Sequence, residues 1–162
     1  MGLAPNSYLP QAERFADIRG TVIDRLLGSG IHGEVYSTLA ATAIKVHYQF
    51  DSYRRECDRY SRLNEANVTE ICGHHVPGFL ASDDQLQAIE MTIVTPPFVL
   101  DFAGAYLDWP PEFPQDAIDE WEPSKRDQFG ETWPDVQRIR AVIEGQYGIF
   151  MLDVNPGNIR FK

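Results

Sequence analysis

Gly28-Ser29-Gly30-Ile31-His32-Gly33-Glu34-Val35 is the stretch on which the reading of this chain turns. Glycines at this spacing free the backbone N–H groups to approach phosphate oxygens, and two unlike architectures use them so. A dinucleotide fold opens a helix directly on the glycines, so that the helix N-terminus meets the pyrophosphate. Here Glu34-Val35-Tyr36-Ser37-Thr38 follows instead, β-branched and aromatic, with another strand-like run behind it. The pattern predicts a β-hairpin closed by a glycine turn. By itself it also fits a turn that holds no ligand, so the surrounding residues have to decide.

Working outward, short β-like runs cover 21–27, 34–38 and 41–46, separated by glycine or small polar residues. A helix is expected over 50–64, with Asp51 as N-cap and Tyr53, Cys57, Tyr60 and Leu63 recurring on one face. Runs at 76–81 and 86–94 flank Ser82-Asp83-Asp84 and suggest a hairpin. These pieces add up to a small antiparallel sheet and one helix over 21–95. Residues 1–20 form a lead-in with Tyr8, Leu9, Phe15 and Ile18 as its apolar positions.

The chain changes character at Thr95-Pro96-Pro97, where two prolines cannot donate to a ladder and hold φ near −65°. This is the expected boundary with a second part, residues 96–162. A helix should begin there near Pro114 or Gln115. Another should run from an N-cap at Thr132 to about Gln146 with Val136, Ile139, Val142 and Ile143 as its stripe, ended by Gly145 or Gly148. A short strand over 149–152 leads into a final loop.

Composition narrows the function classes. The 162 residues are 43% hydrophobic and 23% charged, which fits one ordinary globular domain rather than a disordered or fibrous chain. The net charge of −10 argues against nucleic-acid binding by phosphate neutralisation, though not against a nucleotide in one local basic pocket. Apolar runs are too short to span a membrane, no secretory leader is visible, and two cysteines fit a reducing compartment, so a cytoplasmic protein is expected. Ten of the acids fall within residues 101–135, a solvated face or a surface for a basic partner.

Three further places carry chemistry. Lys45 ends the apolar run Ala43-Ile44-Lys45; it could snorkel to water or stand beneath phosphates as a point charge. In the second case it needs an acid, and Glu56 is the candidate, with Asp58 and Asp51 behind it; the alternative for Glu56 is surface pairing with Arg55 or Arg59. Finally, Leu152-Asp153-Val154-Asn155-Pro156-Gly157-Asn158 forms a tight loop after an apolar strand. Asp153 could accept a hydroxyl proton and Asn158 could offer a hard oxygen to Mg²⁺, or the loop could be an Asx turn closing on its own backbone.

Taken in this order, the elements resemble the protein kinase-like superfamily over roughly residues 20–160. Gly28, Gly30, Gly33 and Val35 match its glycine loop, Lys45 its phosphate-binding lysine and Glu56 the helix partner of that lysine. Asp153 and Asn158 match the catalytic base and a metal-ligand position, and the Pro-Gly-Asn ending is more similar to small-molecule and atypical kinases such as aminoglycoside phosphotransferases. The resemblance implies an α+β, two-lobe fold: a five-stranded antiparallel sheet plus one helix, then a reduced helical lobe. It implies ATP and Mg²⁺ as cofactors, with Val94 offering adenine a backbone N–H just before Pro96-Pro97. The partners it implies are a nucleotide and a protein or small-molecule hydroxyl acceptor, with neither nucleic acid nor membrane.

Departures from the family are equally plain. Met151-Leu152 replaces the usual His-Arg, and Asn155 replaces a lysine. No Asp-Phe-Gly follows Asn158, so the principal Mg²⁺ ligand is expected to be missing and the large lobe shortened. The implied function is transfer of the γ-phosphoryl of ATP to a hydroxyl. The alternative is a pseudokinase that binds nucleotide or acts as a scaffold, and a homodimer could cover apolar surface left by a short lobe.

Cys72-Gly73-His74-His75 offers metal-ligand types but no second pair, so a turn is the expected use. His32 is read as a loop-tip residue and His47 as a strand end. Trp109, Trp121 and Trp133, with Phe102, Tyr106, Phe113 and Phe129, either cover the helical core or form an aromatic surface.

Overall fold

Alternation along Thr42–His47 builds the centre of the molecule. Lys45 and His47 turn to one face with Ala43, and Ile44 and Val46 turn to the other; all five are buried, because helices cover both faces.

The computed structural model describes residues 7–152 and 154–162. Helix α1 (Leu9–Arg19) leads into β1 (Ile23–Ser29), β2 (Gly33–Thr38) and β3 (Thr42–His47), followed by helix α2 (Phe50–Glu65). Two short strands, β4 (Glu70–Ile71) and β5 (His74–His75), precede β6 (Phe79–Asp83) and β7 (Ala88–Thr92). Strands β8 (Phe98–Val99) and β9 (Tyr106–Leu107) come next, then helices α3 (Gln115–Phe129) and α4 (Trp133–Tyr147), and finally β10 (Ile149–Phe150) and β11 (Ile159–Arg160). The fold is α+β. Its main sheet has five strands in the order β1-β2-β3-β7-β6, antiparallel throughout.

The sheet carries two helices rather than the one expected. The lead-in folds as α1, whose Ala12, Phe15 and Ala16 pack against Tyr36, Ile44, Val46 and Ala88. Its C-cap is Gly20 at φ 74, a left-handed position that glycine adopts without a Cβ clash. Arg19 then reaches across the sheet to pair with the buried Glu90 at 2.5 Å. Helix α2 covers the opposite face through Tyr53, Cys57, Tyr60 and Leu63, as their spacing predicts.

Three local expectations are corrected. The N-cap of α2 is Gln49, with Asp51 inside the first turn, where a carboxylate still favours the helix dipole. Thr132 does precede α4, but its hydroxyl donates back to the Phe129 carbonyl at 2.8 Å and caps nothing. The β6–β7 turn lies at 84–87 rather than 82–84, because Asp83 Oδ1 accepts the Leu86 N–H at 2.8 Å and Leu86 packs into the α1 cluster. Gly148, at φ 65, ends α4.

The α2 side of the sheet continues without a break into the second half. Val99, Phe102, Trp133, Val136, Ile139, Ile143, Ile149 and Ile159 join the same buried cluster as Tyr60 and Met91. Two small ladders organise this half: β8 lies between β11 and β5, and β9 pairs with β10. Cys72, at φ 50, and Gly73, at φ 81, form the turn between β4 and β5, and His74 lies edge-on to Phe161 at 4.7 Å. No described helix is long and apolar enough to cross a membrane.

Candidate functional site

A cavity of about 590 Å³ opens between the β1–β2 end of the sheet and residues 98–101 and 157. Antiparallel pairing of Gly28 with Val35 and Ser29 with Glu34 brings the glycine turn over it, and the Gly30 N–H donates to the Gly33 carbonyl at 3.0 Å. Gly33 is obligatory for packing: a Cβ there would lie 2.2 Å from the Val46 carbonyl oxygen. Gly28 and Gly30 have nothing within 4 Å of such an atom, so the sheet itself does not demand glycine there. Gly28, Gly30, Gly33, Val35, Lys45, Glu56 and Val94 all line the one cavity.

Lys45 is buried and paired. Its Nζ lies 2.8 Å from Glu56 Oε2 and 3.3 Å from Asp101 Oδ1. Glu56 is on the same face of α2 as Tyr53 and Tyr60 and is itself buried, which removes the alternative of a surface pair. Arg55 and Arg59 point elsewhere, donating to the carbonyls of Ala103 and Ala105. Burial alone would raise the Glu56 pKa, but the Lys45 ammonium and the His47 hydrogen bond outweigh it and hold the carboxyl down at about 2. Burial alone would lower the Lys45 pKa, and the Glu56 and Asp101 carboxylates more than offset it, so the net shift is upward. His47 is more than a strand end: its Nε2 lies 2.7 Å from the same Glu56 oxygen.

Asp101 is the residue the sequence reading missed. It is a non-glycine residue at φ 67, a conformation Asp tolerates better than most side chains. That backbone turn lets its carboxylate reach Lys45 while the next residue, Phe102, is fully buried against Tyr60, ring centroids 5.4 Å apart and nearly perpendicular. Strand β8, just before Asp101, pairs antiparallel with β11, just after Asn158, and the Leu100 N–H donates to the Asn158 carbonyl at 2.9 Å. The signal was available as Asp101-Phe102-Ala103-Gly104 after the apolar 98–100. It stands ahead of the 153–158 loop in the chain, so a search after that loop passes it by.

Within the loop, Asn155 does form an Asx turn: its Oδ1 accepts the Gly157 N–H at 2.8 Å and the Asn158 N–H at 3.2 Å. Asn158 is buried, and its Oδ1 accepts the Asn155 N–H at 2.8 Å. Gly157 lines the cavity. Asp153 lies outside the described residues. The aromatic block splits: Phe102, Phe129 and Trp133 are buried, whereas Trp109, Phe113 and Tyr106 are exposed.

Among the described residues no group of three or more His, Cys, Asp or Glu side chains converges on one point. The Asp101 carboxylate is half-buried on the cavity wall, and the buried Asn158 Oδ1 accepts the Asn155 N–H. An anchored ammonium between two carboxylates, below a glycine turn, can hold and orient a polyphosphate. No protein-family model and no curated protein matches the chain, so its chemistry rests on this geometry.

Proposed function

We propose that this protein is a kinase-like phosphotransferase that uses Mg²⁺ and ATP to phosphorylate a hydroxyl acceptor. The observation that carries the proposal is Lys45 held at 2.8 Å from Glu56 and 3.3 Å from Asp101 on the wall of the glycine-turn cavity. In this reading the backbone of residues 28–33 cradles the phosphates, Lys45 orients them, and Val94 receives the adenine edge. Asp101 and Asn158 would hold Mg²⁺, which would supply positive charge against the transferring group. The acceptor oxygen bonds to the γ-phosphorus as the β,γ-bridging bond breaks. ADP leaves with that electron pair, and the hydroxyl proton passes to the Asp153 carboxylate.

Asp101 alters the balance between enzyme and pseudokinase. A carboxylate supplied from residue 101, within 3.3 Å of Lys45, supports an enzyme. The two-lobe arrangement of the resembled family and a cytoplasmic location, where ATP and Mg²⁺ are plentiful, belong to the same proposal.

Thermal unfolding with and without Mg·ATP tests it. A ligand at a hundred times its dissociation constant adds about 2.7 kcal/mol, and Lys45→Ala should abolish most of that gain. Asp101→Asn should remove the Mg²⁺ dependence of the gain, and Asp153→Asn should abolish transfer from radiolabelled ATP while leaving binding intact. An unfolding temperature unmoved by millimolar Mg·ATP would refute the proposal. Binding without transfer on any hydroxyl compound would leave the pseudokinase.

A further inference from the structure

A second cavity, of about 670 Å³, lies between α3, α4 and β9, a size suited to a small organic molecule. Tyr106, Phe113, Ile118 and Trp121 give it apolar walls, and Lys125 and Arg140 are its charged residues. It borders the residues that precede Asp153 in the sequence. Leu152 is part of the lining, the Trp121 Nε1–H donates to the Leu152 carbonyl at 3.1 Å, and the Arg140 Nε–H donates to the Met151 carbonyl at 2.9 Å. The Arg140 guanidinium also lies over the Trp121 ring, 4.6 Å from its centroid, fixing both side chains.

Two features say what fits. Helix α3 turns Ala117 and Ile118 toward this space, and Trp121 stands between it and the core, edge-on to Trp133 at 5.8 Å; of the helix's residues only Phe129 is buried. The charge is also opposite to that of its neighbourhood. Residues 101–135 carry ten acids, yet the described lining residues include no carboxylate. Arg140 is balanced by Glu144 at 3.4 Å, but Lys125 makes no ion pair among the described residues, its Nζ reaching the Gln128 amide oxygen at 3.4 Å.

We propose that this cavity is the acceptor site, and that the acceptor is a small hydroxyl-bearing molecule with an aromatic body and one carboxylate. The ring lies among Tyr106, Phe113 and Trp121, and the carboxylate pairs with Lys125. A polycationic aminosugar is disfavoured, since it would meet Lys125 and Arg140 as like charges. The role as acceptor site rests on the phosphotransferase proposal, whereas the preference for an aromatic acid rests on the cavity alone.

The test is titration of the full chain, followed by tryptophan fluorescence, with 4-hydroxyphenylacetate and with its amine counterpart, 4-hydroxyphenethylamine. The acid should bind at least about tenfold more tightly than the amine, a difference that Lys125→Glu should erase. Ala117→Phe, on the exposed side of α3, should weaken both ligands by filling the space, and neither variant should change the Mg·ATP shift. Equal affinity for acid and amine, or acid binding unchanged in both variants, would overturn the proposal even if Mg·ATP stabilises the protein. If the acid preference holds but Mg·ATP gives no shift, the phosphotransferase reading fails and takes the acceptor role with it, while the cavity's selectivity stands.

Discussion

Replacing Glu56 with glutamine should remove the charge that anchors Lys45 while keeping nearly the same shape. The carboxyl is buried, bridges Lys45 Nζ at 2.8 Å and His47 Nε2 at 2.7 Å, and is held at about 2 against an ordinary 4.5. At about 1.4 kcal/mol per tenfold, that depression is worth about 3 kcal/mol of folding stability at neutral pH. Breaking a buried pair costs about 3–5 kcal/mol, and Asp101, 3.3 Å from Lys45, keeps the expectation at the lower end. In a chain of this size, about 3 kcal/mol is a fall of roughly 6–12 °C in unfolding temperature. The sign of the pH dependence follows from the depressed value: the Glu56 contribution is complete above 4.5 and lost as pH falls toward 2. Lys45, shifted upward, contributes below its ordinary value of 10.5 and loses that contribution as pH rises past its folded value. Urea unfolding of both proteins at pH 7, 4 and 2.5 should therefore show a gap of about 3 kcal/mol that narrows steadily with acid. A gap below about 1 kcal/mol at pH 7, or one that stays constant down to pH 2.5, would refute the electrostatic account of Lys45.

Two other perturbations separate structural from ligand-binding roles. Gly33→Ala should destabilise by about 1–3 kcal/mol in chemical denaturation, because the added methyl meets the Val46 carbonyl at 2.2 Å, whereas Gly30→Ala should change stability by under about 0.5 kcal/mol. Phe102→Ala should cost about 3–5 kcal/mol, since a fully buried ring is lost from its perpendicular contact with Tyr60, and Phe102→Leu should recover most of that in the same assay.

Much of the fold was legible in order along the chain, for a local reason. Short β-like runs and the glycine turn marked β1–β3 to within two residues, and Tyr53, Cys57, Tyr60 and Leu63 marked the buried face of α2. Those patterns record which side of an element faces the core, so they survive without tertiary information. Glu56, three residues from Tyr53 and four from Tyr60, shares that face in the structure and reaches Lys45. The lead-in was harder to read: α1 buries only Ala12, Phe15 and Ala16, too few positions to announce a packed helix.

Sequence by itself marked the five strands of the main sheet and helices α2, α3 and α4, and named Gly28, Gly30, Gly33, Val35, Lys45, Glu56 and Val94, which line the cavity, because each depends on neighbours close along the chain. Only the tertiary structure decided which acid joins Lys45 from the far side. Asp101 is far from Lys45 in sequence and precedes the 153–158 loop, and it arrives through the pairing of β8 with β11 and the burial of Phe102 against Tyr60. The second cavity is of the same kind: α3 and α4 each look like ordinary amphipathic helices, and the space between them exists only once both are docked. Strand pairing and helix docking are non-local, so no run of adjacent residues encodes them.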